Sequence, residues 1–513
     1  MEKGTAMRLP EHIYKELENV VGPENINDRE YVLAAYRHPT TMSMRKPASP
    51  EAVILPGSTE EVQAIVRICN RYSIKYIPTV SSCIAMALPN QPQTLILHMK
   101  RMNKIYEINE EDRYAIIEPG VRHCQLKPEV MKRKLSYPVA AVGPGGSVLA
   151  SVATASGENH VHYSSSKTNR YLLGMEWVLP TGELLRVGSL GNDAGWFCPD
   201  GPGPSLRGLA KGYAGSFGGL GVVTKIAIGL DPWKGPEVMP TKGHTPSYKV
   251  RFPQDRHKIF IFKFPSLDKV RDAMIEIGRA EIGHALLKYF NATAALLATE
   301  SANDFWELWN SGLFQRELAY SLYVYLATWS PEELEYEENV LMDIINDTGG
   351  EAVNEAIRRI YEDNMDFFTV VGTLQRVLRL GCGWAPNKLS ADSIPHIFEV
   401  AKTIPEFMDE FVEKGLVLNT PDNFMIIPWE YGHMAHIEQL YLWDQNIAEF
   451  GKIPIAFMQR SLETDIRHGH HATMPPRYQS MMEKLGPLYS NYHVWATKIK
   501  ETFDPNRVSN PLP

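Results

Sequence analysis

Two stretches of the 513-residue chain concentrate side chains that move protons. Arg467-His468-Gly469-His470-His471 is followed by Arg477, and Tyr431, His433, His436 and Glu438 lie within Trp429 to Leu442. Imidazole titrates near neutrality, so a histidine of the first stretch can take the proton of a bound hydroxyl while the arginine nearby positions the molecule. The second stretch alternates as a strand, with Tyr431 and His433 on one face and His436 and Glu438 on the other.

Such groups need a scaffold, and the chain is organised around residues 141–230. These run from AVGPGGSVLASVATASGENHVHYSSSKTNRYLLGMEWVLPTGELLRVG to KGYAGSFGGLGVVTKIAIGL. Glycine and small-residue turns alternate there with short β-rich runs, and a glycine lets a backbone N–H approach atoms that any Cβ would hold off. The pattern suits a flat, phosphorylated ligand. Met175 to Arg186 reads as two strands joined by a Pro180-Thr181-Gly182 turn, which is a hairpin.

With 44% hydrophobic and 22% charged residues, the chain has a globular make-up and the length for two or three domains. Its net charge of −8 includes no basic block, which argues against nucleic acid as a partner. Cys69, Cys83, Cys124, Cys198 and Cys382 are far apart with no CxxC pair. They suggest a reduced compartment and argue against a zinc or iron–sulfur site. No apolar run reaches membrane-spanning length, and MEKGTAMRLPEHIYKELENVVG has no apolar leader, so the expected location is cytoplasmic.

Residues 1–45 read as an amphipathic helix around Ile13 to Val21 and a polar arm. In SPEAVILPGSTEEVQAIVRICNRYSIKYIPTV, Val53-Ile54-Leu55 is a strand, Pro56-Gly57 breaks it, and Ser58 with Glu61 forms a capping box. Val62, Ile65, Val66 and Cys69 make the apolar face of the helix that follows. A strand from Ile74 to Val80 completes a βαβ unit with a parallel pair. Strands from Leu95 and from Tyr114 come next, the latter ending in Glu118-Pro119-Gly120-Val121.

Strand, LPGSTEEV helix, strand, LILHMKRMNKI, EPGV, GPGGS, GMEWVLPTGELLR and GGLGVVTK follow in the order found in a known group of flavoproteins. Over roughly residues 46–230 the chain resembles the vanillyl-alcohol oxidase and p-cresol methylhydroxylase superfamily, which includes the flavin subunits of glycolate oxidase and D-lactate dehydrogenase. The C-terminal IKETFDPNRVSNP is similar to that family's closing helix and DPN tail. The resemblance implies an α+β protein. A p-cresol-methylhydroxylase-type FAD-binding domain of two α/β subdomains holds the flavin between them, and an α+β cap holds the substrate over the isoalloxazine ring. The expected boundaries are an arm at 1–45, the FAD domain at 46–233, the cap at 234–480 and a C-terminal segment at 481–513 returning to the FAD domain.

The implied cofactor is FAD. Its expected contacts are Val80, Ser81, Ser82, Cys83 and Ile84 in the pyrophosphate loop, then Gly145, Gly146, Ser147, Ser151 and Gly157, and finally Gly221, Val222, Val223 and Asn510. The loop from Thr79 to Ala87 departs from the family in lacking glycine. Ser81 and Ser82 can donate hydroxyls, but β-branched Val80 and Ile84 resist the positive φ that a nest of amides often requires. Lys167, in register from Gly174, stands where relatives place an acidic or small polar group and would stabilise reduced anionic flavin. Phe217 replaces the glutamate of the family's GSEGTLG. Cys83, His123, Cys124 and His162 are local candidates for a covalent flavin link.

Residues 234–257 read as a linker, Ile259 to Phe264 as a strand, and helices begin at Ser266 and at Ser330-Pro331. Most of Phe305, Trp306, Trp309, Phe314, Tyr320, Tyr323, Tyr325 and Trp329 are expected in the core. By the resemblance, His470 and His471 fall near the flavin, where phenol-oxidising relatives place a Tyr-Arg pair and hydroxy-acid relatives a Glu-His pair. His470 or His471 is then the base, and His433, Tyr431 and Arg477 position the substrate. Hydroxy-acid relatives bind a divalent metal through two histidines seven residues apart and a later glutamate. Leu440 stands at the second histidine position here, so no metal is expected, although His433, His436 and Glu438 offer substitute ligands.

The sequence reads as an FAD-dependent oxidoreductase that removes a hydride from a small alcohol, hydroxy acid or alkylphenol. With no second redox centre in the chain, electrons pass to a protein acceptor, a cytochrome or an electron-transfer flavoprotein, and a homo-oligomer such as a homodimer is expected. Two alternatives stay open. One is a D-2-hydroxy-acid dehydrogenase of the lactate or glycolate type using an electron-transfer flavoprotein. The other is a flavin-free scaffold or binding subunit, which the altered loop at Thr79 to Ala87 favours.

Overall fold

The computed structural model describes residues 9–37, 48–81, 89, 91–139, 143–154, 159–163, 171–198, 200, 206–210, 219–244, 247–369, 383–444, 446, 452–470, 483 and 486–510. It contains two small α/β lobes and a larger cap. In the first lobe, α1 (Glu11–Val21) turns Ile13, Leu17 and Val21 inward. It is followed by β1 (Ile26–Asn27), β2 (Ala52–Ile54), α2 (Thr59–Tyr72), β3 (Lys75–Thr79) and β4 (Thr94–His98). The sheet order is β1-β2-β4-β3, with β2 and β3 both parallel to β4. The strands flanking α2 are therefore not paired with each other as expected. Leu95, Ile96 and Leu97 are all buried, so β4 is apolar on both faces and takes the centre of the parallel sheet.

The cap of α2 is as expected on one side only. The Glu61 N–H donates to Ser58 Oγ at 3.2 Å, but the Glu61 carboxylate accepts from the Gly57 N–H at 2.8 Å rather than from Ser58. The second lobe holds β5 (Ile105–Asn109), β6 (Tyr114–Ile117), α3 (His123–Met131), β7 (Leu172–Val178), β8 (Leu184–Val187) and β9 (Val222–Gly229). Its antiparallel order is β5-β6-β9-β7-β8. The hairpin turn between β7 and β8 uses Gly182 at φ +87°, a left-handed geometry that favours glycine.

The cap begins with β10 (His257–Lys263), α4 (Leu267–Arg279), β11 (Ala285–Leu287), β12 (Ser321–Ala327), α5 (Pro331–Thr348) and β13 (Glu351–Ala352). It continues with β14 (Gly383–Asp392), α6 (Ile394–Lys402), α7 (Ile404–Glu413), β15 (Phe424–Trp429), β16 (Met434–Trp443) and α8 (Ile453–His468). Sheets β11-β12-β10-β13 and β14-β16-β15 join where Lys288 and Ile426 exchange two N–H···O bonds of 3.0 Å. One apolar core buries Val270, Ile397, Phe407 and Phe457 of the helices, and a second, rich in aromatics, gathers Tyr289, Tyr323, Tyr325, Tyr361, Phe367, Phe368 and Trp429. Of the eight aromatics singled out in the sequence, Phe305, Trp309, Phe314, Tyr323 and Tyr325 are buried, and Trp306, Tyr320 and Trp329 are exposed.

The stretch from Trp429 to Leu442 is not one strand. Glu430, Tyr431 and Gly432 adopt φ of +53°, +52° and +86°, reversing the chain between antiparallel β15 and β16. Tyr431 and His433 therefore stand on a turn rather than on a strand face. Past α9 (Tyr492–Phe503), the C-terminal segment lies along β3. The Tyr76 N–H donates to Val508 O at 2.9 Å, the Asn510 N–H donates to Tyr76 O at 2.8 Å, and the Gly221 N–H donates to Ser509 Oγ at 3.0 Å. Ser509 thus ties the edge of the first lobe to the start of β9 in the second. Among the described residues no helix is long and apolar enough to cross a membrane.

Candidate functional site

The two lobes meet where β3 ends. The Ser147 N–H, in the GPGGS turn of the second lobe, donates to Ser81 Oγ of the first at 3.0 Å. Ser147 is held from behind by a chain of hydrogen bonds. Its hydroxyl donates to Pro119 O at 2.8 Å, and its carbonyl accepts from the Ser151 hydroxyl at 3.0 Å. Having given away its hydrogen, Ser151 accepts from His123 Nε2 at 3.0 Å, which leaves His123 Nδ1 to accept from the Tyr137 hydroxyl at 3.1 Å. Burial, and secondarily the cation of Lys127, push His123 down to about 3, so this relay keeps one orientation at neutral pH.

The other side of the joint is also fixed. His98 accepts from the Tyr36 hydroxyl at 2.6 Å and hydrogen-bonds the Val80 carbonyl. Gly145 is exposed, and a side chain built on it would meet no atom within 4 Å, so the turn opens to solvent beside Ser81 and Ser147. Gly146 and Ser151 are buried. A backbone opening bordered by serine hydroxyls fits the phosphates of FAD. Gly221 sits at φ +109° with its N–H bound to Ser509, Val222 and Val223 enter β9 opposite Val178 and Trp177, and Asn510 is buried beside Tyr76. Ser82, Cys83, Ile84, Gly157, Lys167, Phe217, His471 and Arg477 lie outside the described residues. Of the described candidates for a covalent link, Cys124 is exposed, whereas His123 has both ring nitrogens engaged.

A second junction forms where the second lobe enters the cap. Asn159 to Tyr163 are wedged into the cap sheet between β11 and the β15–β16 turn. The His162 N–H donates to His284 O at 2.9 Å, Val161 bridges Ala285, and the Tyr431 N–H donates to His162 O at 3.2 Å. Asn159 braces the wedge: its side-chain oxygen accepts from the Val161 N–H at 2.9 Å and its carbonyl from Trp429 Nε1 at 3.1 Å. His160 and His162 are 2% and 0% exposed. Their rings face Phe367 and Tyr289 in one case and Tyr431 in the other.

The predicted catalytic residues divide between two places. Tyr431 joins this junction and His433 is exposed on the same turn. His470 lies just past α8, where its N–H donates to Asp465 O at 2.8 Å and its ring meets those of His396 and His468 at 5.2 and 5.5 Å. Burial first, then the neighbouring His396 and Lys388, lower His470 to about 4. Lys388 and Asp465 form a buried ion pair beside it. His470 is thus set against α6 and α8, and Tyr431 against His162. His436 stacks on Trp429, with ring centroids 5.5 Å apart. Among the described residues no three histidine, cysteine or carboxylate side chains cluster as metal ligands.

Sequence reasoning missed His160, Asn159 and His284, and it weighed His162 only as a flavin attachment point. The available sign was an H-V-H alternation inside a glycine-rich segment, where small residues would otherwise be expected. Lys127 was missed as well. It is buried, donates to Ser136 Oγ at 2.6 Å and to Tyr137 O at 3.0 Å, and burial lowers it to about 7.

Residues 50–188, which span both lobes up to β8, match the family model of the FAD binding domain. The chain therefore carries an FAD-binding domain. Over its whole length the fold is that of p-cresol methylhydroxylase. The substrate-bound structure of that enzyme superposes with a TM-score of 0.75 at 18% identity, covering 98% of this chain and 95% of the other. The isoeugenol complex of 4-ethylphenol oxidase from Gulosibacter chungangensis gives 0.76 at 20% identity, covering 98% and 96%. Among curated proteins, the glycolate oxidase subunit GlcD of Bacillus subtilis (strain 168) is 29% identical over 229 residues, 44% of this chain. That match spans 46% of the relative, less than half its length.

Proposed function

We propose that the chain is an FAD-dependent oxidoreductase that removes a hydride from a small alcohol, hydroxy acid or alkylphenol and passes the electrons to a protein acceptor. The observation that carries this reading is the FAD-binding domain match at 50–188, which contains both sides of the Ser81–Ser147 joint. Ser81, Gly145, Gly146 and Ser147 hold the phosphates in this reading, and Gly221, Val222, Val223 and Asn510 contact the cofactor from the C-terminal side. Bound FAD supplies a hydride acceptor. His470 or His471 takes the substrate proton, with Tyr431, His433 and Arg477 positioning the molecule. In support, His470 is held neutral near pKa 4 and its Nδ1 has no partner among the described residues.

The test is the visible spectrum of the purified protein before and after acid precipitation, followed by anaerobic addition of alcohols, hydroxy acids and alkylphenols. A flavin spectrum bleached by one class supports the reading. No flavin after incubation with excess FAD sinks it and leaves a scaffold. A second reading, a D-2-hydroxy-acid dehydrogenase delivering electrons to an electron-transfer flavoprotein, draws support from the glycolate oxidase subunit among the relatives. Bleaching by D-lactate or glycolate, with none by alkylphenols, selects it.

A further inference from the structure

The stretch from Thr79 to Ala87 contains no glycine, the residue that enters left-handed turns around a phosphate most readily. The chain on either side of it is held from outside, and both holds lead back to the amino-terminal segment. At the start, His98 ends β4 directly opposite Thr79 of β3. Its ring hydrogen-bonds the Val80 carbonyl, and its Nδ1 lies 2.6 Å from the Tyr36 hydroxyl. A carbonyl only accepts, so His98 donates to Val80 and uses Nδ1 to accept from Tyr36. One residue on, Ser81 Oγ accepts the Ser147 N–H at 3.0 Å. Beyond the stretch, the carbonyl of buried Pro89 accepts from the Ala48 N–H at 2.8 Å.

The amino-terminal segment is itself anchored. The helical run Glu30–Ala35 buries Leu33 against Val53, Ile77 and Ile96 of the first sheet, and Tyr36 packs on the same cluster. Arg37 pairs with Glu30 and donates to Ser49 Oγ at 3.4 Å, which ties Tyr36 and Ala48 to one frame. Burial first, then the cation of Lys100 and more weakly that of Arg122, lower His98 to about 4. The ring is therefore neutral near pH 7 and keeps one nitrogen as donor and the other as acceptor. Burial also raises the Tyr36 hydroxyl, which stays a donor. Fixing this chain on both sides before a ligand arrives leaves less of it to order on binding.

We propose that the amino-terminal segment is part of the cofactor site, with Tyr36 and His98 as positioning residues that hold Val80 and Ser81 in place for the FAD phosphates. This rests on the reading that sets the phosphates at the Ser81–Ser147 joint. It adds to that reading a residue, Tyr36, that lies ahead of the FAD-binding match at 50–188.

The test is fluorescence titration of the full-length apoprotein with FAD, together with urea unfolding of each apoprotein. His98→Ala removes both hydrogen bonds and should weaken FAD binding about tenfold. Tyr36→Phe removes one hydroxyl at a half-buried site and should weaken it about threefold. Because Tyr36 acts through His98, the double variant should bind no worse than His98→Ala alone. Because His98 acts through the Val80–Ser81 backbone, His98→Ala and Ser81→Ala together should lose less than the product of their separate losses. His98→Gln keeps an N–H for Val80 and an oxygen for Tyr36, and should stay within about threefold of the unaltered protein. Losses that multiply in either double variant, or a His98→Gln variant as weak as His98→Ala, overturn the inference. So does a variant that loses stability in urea yet binds FAD as before, since its residue is then structural only. Should His98→Ala fail to fold, Tyr36→Phe decides, and unchanged FAD affinity there overturns the inference. An unaltered protein that takes up no FAD refutes the oxidoreductase reading itself, whereas equal FAD affinity in the unaltered protein and His98→Ala refutes the inference and leaves that reading intact.

Discussion

The Ser147 amide donates to the Ser81 hydroxyl at 3.0 Å, joining the segment just past β3 of the first lobe to the glycine turn of the second. This bond sets the spacing of the two backbones that border the expected phosphate site. Replacing Ser81 by alanine leaves the Ser147 N–H without its acceptor, at a cost of about 1 kcal/mol. FAD affinity should fall roughly fivefold, read by fluorescence titration of the apoprotein. Unchanged affinity would mean that the hydroxyl plays no part in shaping the site.

Gly221 offers a harsher perturbation at the start of β9. It sits at φ +109°, and a Cβ there would run into the Val178 carbonyl and approach Trp177 Nε1 at 2.9 Å. Gly221→Ala combines an unfavourable φ with overpacking, an expected loss of roughly 3 kcal/mol or more in urea unfolding. Ser509→Ala removes the acceptor of the Gly221 N–H and should cost about 1 kcal/mol. Equal losses in the two variants would show that the clash at Val178 is relieved by backbone movement.

What could be read from the chain alone was local. Ser58, Ser266 and Ser330 each cap the helix that follows, and Gly182 turns the hairpin, because those geometries depend on residues a few positions apart. Pairing order was not readable. That β4 separates β2 from β3 depends on burial on both of its faces, which an apolar run shares with many other arrangements. The turn at Glu430 and Tyr431 looked like strand because two side-chain-bearing residues adopt positive φ, with only Gly432 marking the reversal. The meaning of His160 depends on the Phe367 carbonyl, far along the chain, so no spacing rule reaches it.

Lys388 and Asp465 are 4% and 5% exposed and pair with each other. Burial lowers the lysine against the pull of its partner, the balance expected when desolvation competes with attraction. Lys388→Met alone strands a buried carboxylate and should cost about 3–5 kcal/mol. Lys388→Met combined with Asp465→Leu should recover most of the loss, since an apolar pair of similar volume needs no desolvation. A double-mutant cycle by chemical denaturation measures the coupling. Losses that simply add would show that the pair contributes nothing as a pair.

His123 makes the protein sensitive to acid. Its folded value is pushed down to about 3, against an ordinary 6.5, mainly by burial between Tyr137 and Ser151. Below pH 6.5 the unfolded chain takes up a proton that the folded chain refuses, so stability is complete above that value and drains away as pH falls towards 3. One such histidine contributes a slope of about 1.4 kcal/mol per pH unit, or about 2 kcal/mol lost by pH 5. His160, His162 and His284, also lowered by burial, act in the same direction. His123→Gln keeps an amide donor and acceptor in place of the ring but does not titrate. Its unfolding free energy should therefore be lower at pH 7.5 yet fall less steeply between pH 6.5 and 4.5, by close to one proton's worth. An unaltered slope in that variant would show that His123 is already protonated in the folded protein, with Tyr137 accepting from Nδ1 while Ser151 still accepts from Nε2.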